Sequence, residues 1–451
     1  MAMVIVVPCA AAKDTNSPGG LSVGAAAVEL HADDDLVIAG GIGPGKAKGQ
    51  DGLLRAVATV IQGPPSGTKV AIVALDILMI GREYLDDAAR QVEQKTGIPF
   101  DHVIIHCTHT HHAPSTVKIH GYDVIPEFAE QVRDAVVRAV VKANEKLAAS
   151  PDVTMLFLMG REATVGQNSR MELSDGTISW GIHEDEMRPT GPFDRDFPVI
   201  AFKRPDRSLA AVIFGHSTHT IGTRHPGRRS PAFYGLAAQT FEQETGAVTT
   251  FLQGASGSTH LWRLDGLTFP QAWVEAERRI LNALRYSVDQ AQPVPIHRVG
   301  SLKRQVTVKV RKFDEEAEER AVSYYCKKRF GDEAGERTAA VFRQMRAELA
   351  PYRGEERKTW ISATRIGEVA IVGVPAEFFT QLGLDIKKRS PFRHTIIAEL
   401  ANDYIGYVGN ADAYRLGGYQ LWMGHHSWTE RGTGELFVDQ AVELLRELYV
   451  R

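Results

Sequence analysis

Residues 103–114 read Val103-Ile104-Ile105-His106-Cys107-Thr108-His109-Thr110-His111-His112-Ala113-Pro114. The apolar start of this segment is typical of a buried strand, and four of the chain's sixteen histidines fall within seven of its residues. In an extended chain, alternate side chains project to the same side, which places His109 and His111 together. Two neutral imidazoles at the end of a core strand form half of a zinc or other transition-metal site. The alternative that the pattern leaves open is a set of surface or hydrogen-bonded histidines.

Apolar runs alternate with amphipathic segments along the whole chain. Strands are predicted at 23–30, 69–78, 102–105, 209–214, 249–252, 306–310, 359–366, 369–374 and 394–400. Helices are predicted at 83–96, 125–147, 233–245, 271–290, 314–349, 378–388 and 435–449. This alternation predicts an α/β fold. Because no repeat or long linker interrupts it, we expect one integrated domain over residues 21–451.

The composition excludes several classes of partner. The net charge of −3 builds no field for nucleic acid or an anionic membrane, and no apolar run reaches the length of a membrane span. Three widely spaced cysteines (Cys9, Cys107 and Cys326) form no disulfide framework, which favours reduced thiols and a cytoplasmic location. Residues 1–20 are expected to be a flexible leader. Their short apolar core leaves a signal peptide, and therefore secretion, as the alternative.

Polar residues follow four of the predicted strands, where open α/β sheets place their ligands. The residues concerned are His109, His111 and His112, then His216 and His219, then Glu377, and finally the segment 402–407 ending at Tyr407. Two imidazoles, a carboxylate and an open position for water would make a hydrolytic zinc site. The sequence therefore predicts that these strand ends converge on one ion.

Three further features bear on the site. The loop Gly40–Gly49 nearly matches a phosphate-binding loop, but Ala47 replaces the hydroxyl that binds Mg²⁺, which favours a glycine-rich loop beside the active site over a nucleotide site. Arg170, preceded by Asn168, offers a planar donor for a substrate oxygen, or else a surface ion pair. Asp194 follows downstream as a further substrate-side candidate.

Several motifs resemble those of the neutral/alkaline, non-lysosomal ceramidase family, in the same order along the chain. They are Val23-Gly24-Ala25-Ala26, Ala74-Leu75-Asp76, Thr108-His109-Thr110-His111-His112-Ala113-Pro114, Phe214-Gly215-His216-Ser217-Thr218, Val374-Pro375-Ala376-Glu377-Phe378 and Asn402-Asp403-Tyr404-Ile405-Gly406-Tyr407-Val408. The resemblance implies the α/β fold of the family's N-terminal catalytic domain, a large mixed-sheet domain. It also implies one zinc held by His109, His216, Glu377 and Tyr407, with His111 and Arg170 as substrate-side groups.

The chain also departs from the family pattern. The family's G-D-V-S-P loop is here Gly257-Ser258-Thr259-His260-Leu261, so His260 stands in place of the serine. His112 and Ala113 replace the serine and glycine of the first histidine motif, and the family's C-terminal immunoglobulin-like domain is expected to be missing. The extra imidazoles His112, His219 and His260 would transfer protons, grip a polar substrate or help to hold a second metal.

The sequence thus predicts a zinc-dependent hydrolase that cleaves an amide or related acyl bond of a small polar substrate rather than a sphingolipid. The metal is expected to be one zinc ion, with manganese or a second ion as alternatives. His111 or His260 would act as general acid or base and Arg170 would orient the substrate, while His112, His219, Asn168 and Asp194 would contact it. The alternatives are ester, lactone or glycoside cleavage on the same scaffold, and a non-catalytic metal-containing binding protein.

Overall fold

The computed structural model of the protein describes residues 20–64, 67–261, 264 and 266–451. The proposed leader at 1–20 and Cys9 lie almost wholly outside these residues. The helices are Arg82–Thr96, Pro126–Glu145, Ala232–Thr245, Phe269–Gln290, Glu315–Phe330, Asp332–Leu349, Thr380–Arg389, Ala411–Leu416 and Thr433–Val450. In the part of the chain described, no helix combines the length and apolarity that a membrane span requires.

Most of the strands lie in three mixed sheets, each built in the same way. The first contains, in order, Ser22–Glu29, Arg55–Gly63, Thr68–Leu75 and Val103–Cys107. The second contains Val248–Gln253, Leu209–His216, Asp196–Lys203, Thr154–Arg161 and the short edge Gln292–Pro293. The third contains Val299–Lys309, Glu356–Ile366, Val369–Gly373 and His394–Ala398. Every sheet is antiparallel except for one parallel pair at an edge, so crossover helices such as Arg82–Thr96 are needed only there.

The three sheets share a central core. Apolar side chains from all of them pack together in one cluster, which includes Ile72, Ile104, Ile213, Leu252, Ile371 and Ile396. Helices cover the other face of each sheet and form separate clusters with it. Because a parallel strand buried on both faces carries apolar residues at successive positions, runs such as Val103-Ile104-Ile105 read as continuous in the sequence.

The expected α/β fold is confirmed, with differences in detail. The strands Arg55–Gly63, Thr154–Arg161 and Asp196–Lys203 were not predicted. The charged helix predicted at 314–349 is two helices separated by Gly331. They pack as an antiparallel hairpin because Glu315 and Glu319 of the first helix bind Arg346 of the second. Cys107 and Cys326 are buried and free.

Candidate metal centre and cleft

The parallel edges of the three sheets deliver the candidate ligands. His109 and His111 follow Val103–Cys107, and His219 follows Leu209–His216. The Nε2 atoms of these histidines come together within a cluster whose ligand atoms all lie within 4.8 Å of one another. Glu377 and Tyr407 follow the parallel pair of the third sheet. They are directly opposite each other in a two-residue parallel ladder, which brings the carboxylate and the phenol to the same place.

The separations between these donor atoms resemble the edges of a coordination polyhedron. The Nε2 atom of His109 lies 2.9 Å from that of His219, 3.3 Å from that of His111 and 3.3 Å from Glu377 Oε2. The Nε2 atom of His219 lies 3.5 Å from Glu377 Oε2 and 3.2 Å from the Tyr407 hydroxyl. Ligands at about 2.0–2.1 Å from a tetrahedral zinc ion are about 3.3–3.4 Å apart. The donor set therefore fits one ion at its centre.

The outer ring nitrogens fix the tautomers of the three histidines. Each Nδ1 faces a backbone carbonyl: that of Leu78 for His109 at 3.1 Å, Gly40 for His111 at 3.0 Å and Ser256 for His219 at 3.3 Å. A carbonyl only accepts hydrogen bonds, so Nδ1 carries the proton and the Nε2 lone pair points inward. Three inward lone pairs beside a carboxylate repel one another unless a cation lies between them. This is the arrangement of a metal site.

Burial favours the neutral form of the imidazoles, and for two of the three this effect decides the charge state. It lowers the pKa of His111 and His219 well below the usual value, and the neighbouring imidazoles lower both further. These two rings are therefore neutral, as metal ligands must be. Burial also opposes a charge on His109, but attraction to Glu377 outweighs it and raises the pKa of His109. The Tyr404 hydroxyl donates to Glu377 Oε1 at 3.3 Å, which orients the carboxylate.

Local backbone geometry sets the positions of His109 and His111. His109 has a φ of 62°, so the chain turns sharply here instead of continuing as the extended strand that the alternation predicted. The two rings meet edge to face, 4.8 Å apart. Gly40 has a φ of 111°, and a Cβ there would lie 2.6 Å from the His111 ring. The glycine-rich loop thus packs beside the cluster, as expected.

His260 adjoins the cluster without belonging to it. The segment Thr259–His260 pairs with Gln167–Asn168, and the His260 ring stacks on that of His219 with centroids 4.2 Å apart. Burial lowers the pKa of His260 to about 3, and His109 adds to this effect. His260 also lines a cleft of about 500 Å³, so it stands between the cluster and that space.

The cleft reaches the cluster through His260, which stacks on His219, and no cluster residue itself lines it. Its walls include Trp180, Ile221, Leu261, Phe269 and Trp273, together with the polar groups Ser169, His260, Arg329 and Gln420. The walls thus combine large apolar side chains with hydrogen-bonding groups. A larger cavity of about 670 Å³ lies against the helix Glu315–Phe330, and neither the cluster residues nor His260 line it.

The structure places the His216 ring in the core rather than in the cluster. Its Nε2 faces the carbonyl oxygen of Glu162 at 2.9 Å, and its Nδ1 accepts from the Tyr234 hydroxyl at 2.6 Å. Both ring nitrogens are thus occupied within the core, and neither remains for an ion. His219, expected on the substrate side, takes the place predicted for His216, because His216 is still part of its strand whereas His219 lies in the loop after it.

Three other candidates do not contact the cluster. The Nε2 atom of His112 accepts from the backbone of Gly222. Asn168 donates to the Pro192 carbonyl and accepts from the Arg170 backbone amide. Asp194 is buried in an ion pair with Lys387. Their side chains are held by these partners.

Arg170 is fully buried behind the cleft and does not reach the cluster. Its guanidinium donates to Gln420 at 2.9 Å and to the Gly417 carbonyl at 2.6 Å, and it lies over the Phe379 ring. Burial lowers its pKa to about 9. Gln420 itself lines the cleft, so Arg170 contacts that space only through a hydrogen bond to one of its wall residues.

Glu399, which belongs to none of the sequence motifs, ties two segments of the site together. Its carboxylate accepts hydrogen bonds from the backbone amides of Ser256 and Phe378 at 3.0 and 2.9 Å and from the Ser256 hydroxyl. It thereby ties the loop behind His219 to the segment that carries Glu377. Burial raises the pKa of Glu399 to about 8. The available signal was a single acidic residue at the end of the apolar run 395–400.

Comparison with known proteins agrees with this architecture. No protein-family model matches the sequence. A segment of 101 residues is 33% identical to neutral ceramidase from Pseudomonas aeruginosa, but it spans 20% of this chain and only 15% of that protein. The crystal structure of neutral ceramidase from Pseudomonas aeruginosa matches with a TM-score of 0.73 and 18% identity, over 96% of this chain and 75% of the other. A ceramidase complexed with C2 matches with the same TM-score and identity, over 96% and 76%. The chain therefore has the α/β fold of neutral ceramidase.

Proposed function

We propose that the protein is a metal-dependent hydrolase that cleaves a carbon–nitrogen amide bond in a small substrate. The observation that supports this most directly is the convergence of three imidazole lone pairs and a carboxylate on one point. Imidazole nitrogen with carboxylate oxygen is the ligand set of hydrolytic zinc sites, and zinc is the metal we propose. The shared fold with neutral ceramidase supports an amide as the scissile bond.

His109, His219 and Glu377 would hold the ion, because each of them lies within 3.5 Å of the other two. Tyr407 completes the donor set at its edge, and His111 lies beside that set without holding the ion. When bound, zinc lowers the pKa of a coordinated water and polarises the substrate carbonyl. Tyr404 and the carbonyls of Leu78 and Ser256 keep the holding side chains in place.

We assign proton transfer to His111 and His260. His111 is the most accessible histidine of the cluster, and its bond to the Gly40 carbonyl leaves Nε2 free to accept the proton that the attacking water loses. His260 lines the cleft beside His219, where its imidazole would receive that proton and pass it to the leaving amine. Groups in such positions typically contribute about 10²–10⁴-fold to the rate.

The test begins with protein stripped by a chelator and reloaded with zinc or manganese. Hydrolysis of N-acetyl amino acids is then compared with hydrolysis of ester and lactone counterparts. We expect amide cleavage only in loaded protein, its loss in His111→Ala, and its retention in the matched neighbour His112→Ala. Equal rates with and without metal would contradict the proposal. If only the ester or the lactone were cleaved, the scissile bond would be that ester or lactone bond and not an amide.

A further inference from the structure

Arg329, at the edge of the cleft, is a cation that pairs with no carboxylate among the residues that the structure describes. Its guanidinium carbon lies 4.0 Å from the centroid of the Trp180 ring and 4.5 Å from that of Phe330. Its Nη1 atom is buried and has no hydrogen-bond partner in the described chain. A buried donor left unsatisfied costs free energy, more so when the group is charged. An unfilled requirement of this kind, facing a cleft, points to a ligand.

In the described part of the chain, the carboxylates near Arg329 pair with other cations. Lys328 pairs with Asp175 and Glu184, and Arg343 of the second hairpin helix pairs with Glu319. The groups near enough to act on the charge of Arg329 are Tyr325, Tyr419 and Cys326. All three are uncharged at neutral pH. Burial lowers the pKa of Arg329, yet an arginine side chain stays protonated in proteins.

The backbone makes room for this guanidinium. Gly181 has a φ of 72°, and a Cβ at this position would lie 2.6 Å from Arg329 Nη2. Trp180, the residue before Gly181, stacks on Tyr419 with ring centroids 4.3 Å apart. The planar group is thus held between rings and a glycine, which reduces the conformational entropy that a ligand contact would cost.

We propose that Arg329 binds a carboxylate of the substrate, which makes the substrate a small N-acyl amino acid with an apolar side chain. This inference rests on the proposed function for its scissile amide. Among the described residues that line the cleft, none is acidic, while Trp273, Phe269 and Leu261 offer apolar contacts. One guanidinium with a free donor suits a carboxylate, whereas a phosphate dianion ordinarily needs several cationic or backbone donors.

The contact between Arg329 and a ligand carboxylate, called the anchor below, can be tested by binding alone, without turnover. The probes are 3-phenylpropanoate and its neutral amide, 3-phenylpropanamide, titrated calorimetrically into metal-loaded protein. We expect the wild type to bind the acid at least about 10-fold more tightly. Arg329→Met should abolish this preference, and Arg329→Lys should retain a part of it. Arg320→Met is the matched control, because Arg320 lies on the same helix and is largely exposed; it should behave as wild type.

A wild-type preference below about threefold overturns the anchor, as does an undiminished preference in folded Arg329→Met. Should Arg329→Met not fold, a preference in Arg329→Lys equal to that of the wild type overturns it as well. Turnover then separates the two proposals, using N-acetyl-L-phenylalanine and N-acetylphenethylamine, which lacks the carboxylate. Arg329→Met should raise KM for the acid about 10-fold or more with kcat little changed. If loaded wild type hydrolyses neither amide, the proposed function fails for such amides, while the binding result still decides the anchor.

Discussion

The substitutions His219→Gln and His216→Gln should have opposite effects, although the two residues lie in one short segment. A zinc site stabilises its bound form by about 10–16 kcal/mol in small peptides. One of four ligands therefore accounts for about 3–4 kcal/mol, or 10²–10³-fold in affinity. His219→Gln should lose zinc by about this factor. His216→Gln should keep the metal, because both of its nitrogens are occupied within the core.

In the metal-free protein, His216→Gln should be the variant that loses stability. Loss of His216 leaves the Tyr234 hydroxyl and the Glu162 carbonyl without their partner, at a cost of about 2–4 kcal/mol. At about 2.1 cal/mol/K per residue, the 451-residue chain has an unfolding entropy of about 1 kcal/mol/K, so Tm should fall by about 2–4 °C. Zinc content after dialysis against buffered zinc, together with melting curves of apo protein, measures both. Metal retention in His219→Gln with metal loss in a folded His216→Gln would refute the assignment.

Three further outcomes are expected. His260→Ala should keep its metal but lose about 10²-fold or more in kcat, because it removes a proton-transfer group; near-wild-type kcat in metal-replete protein would remove His260 from the mechanism. Gly40→Ala should lower kcat while leaving Tm of the apo protein within a few degrees, since the new Cβ displaces His111; an unchanged kcat would show that the loop yields. The hydrogen bond from Arg343 lowers the pKa of Glu319 from 4.5 to about 2 against the effect of burial, so this carboxylate stabilises the fold above pH 4.5 and the gain is lost as pH falls towards 2. Glu319→Gln should therefore unfold at lower urea concentration at pH 7 and converge with wild type near pH 2, and parallel profiles at all pH values would contradict this.

The parallel edge strands of the three sheets could be located from the sequence by their continuous apolar runs. Runs such as Val103–Cys107 are apolar at every position because both faces are covered, so their type and location are readable from the chain. The two charged helices were harder to separate, because Gly331 is one residue between two segments of the same periodicity. The division of the chain into a leader and a domain at 21–451 stays a prediction.

The site was predictable as a set of strand ends but not as a set of atoms. The strand ends indicated only the region, and the family resemblance named His109, Glu377 and Tyr407, which lie close together in the structure. The choice between His216 and His219 depends on where a strand ends, and a shift of three residues decides which ring reaches the cluster. Arg329 gave no local signal, because its lack of a counter-ion appears only once the hairpin packs against Trp180.

The donor atoms come from positions 109, 219 and 377, one on each sheet, so the chain between them must be largely folded before they meet. Closing such long loops is slow relative to local helix formation, which makes completion of the donor set a late event on the folding pathway. Metal binding would then report complete folding, because partly folded chains contain the same histidines but do not bring them within coordination distance. Free ion at 100 times its Kd would stabilise only the native state, by about 2.7 kcal/mol. Supply of the metal would thereby govern how much of this chain persists in folded form, independently of any reaction that it catalyses.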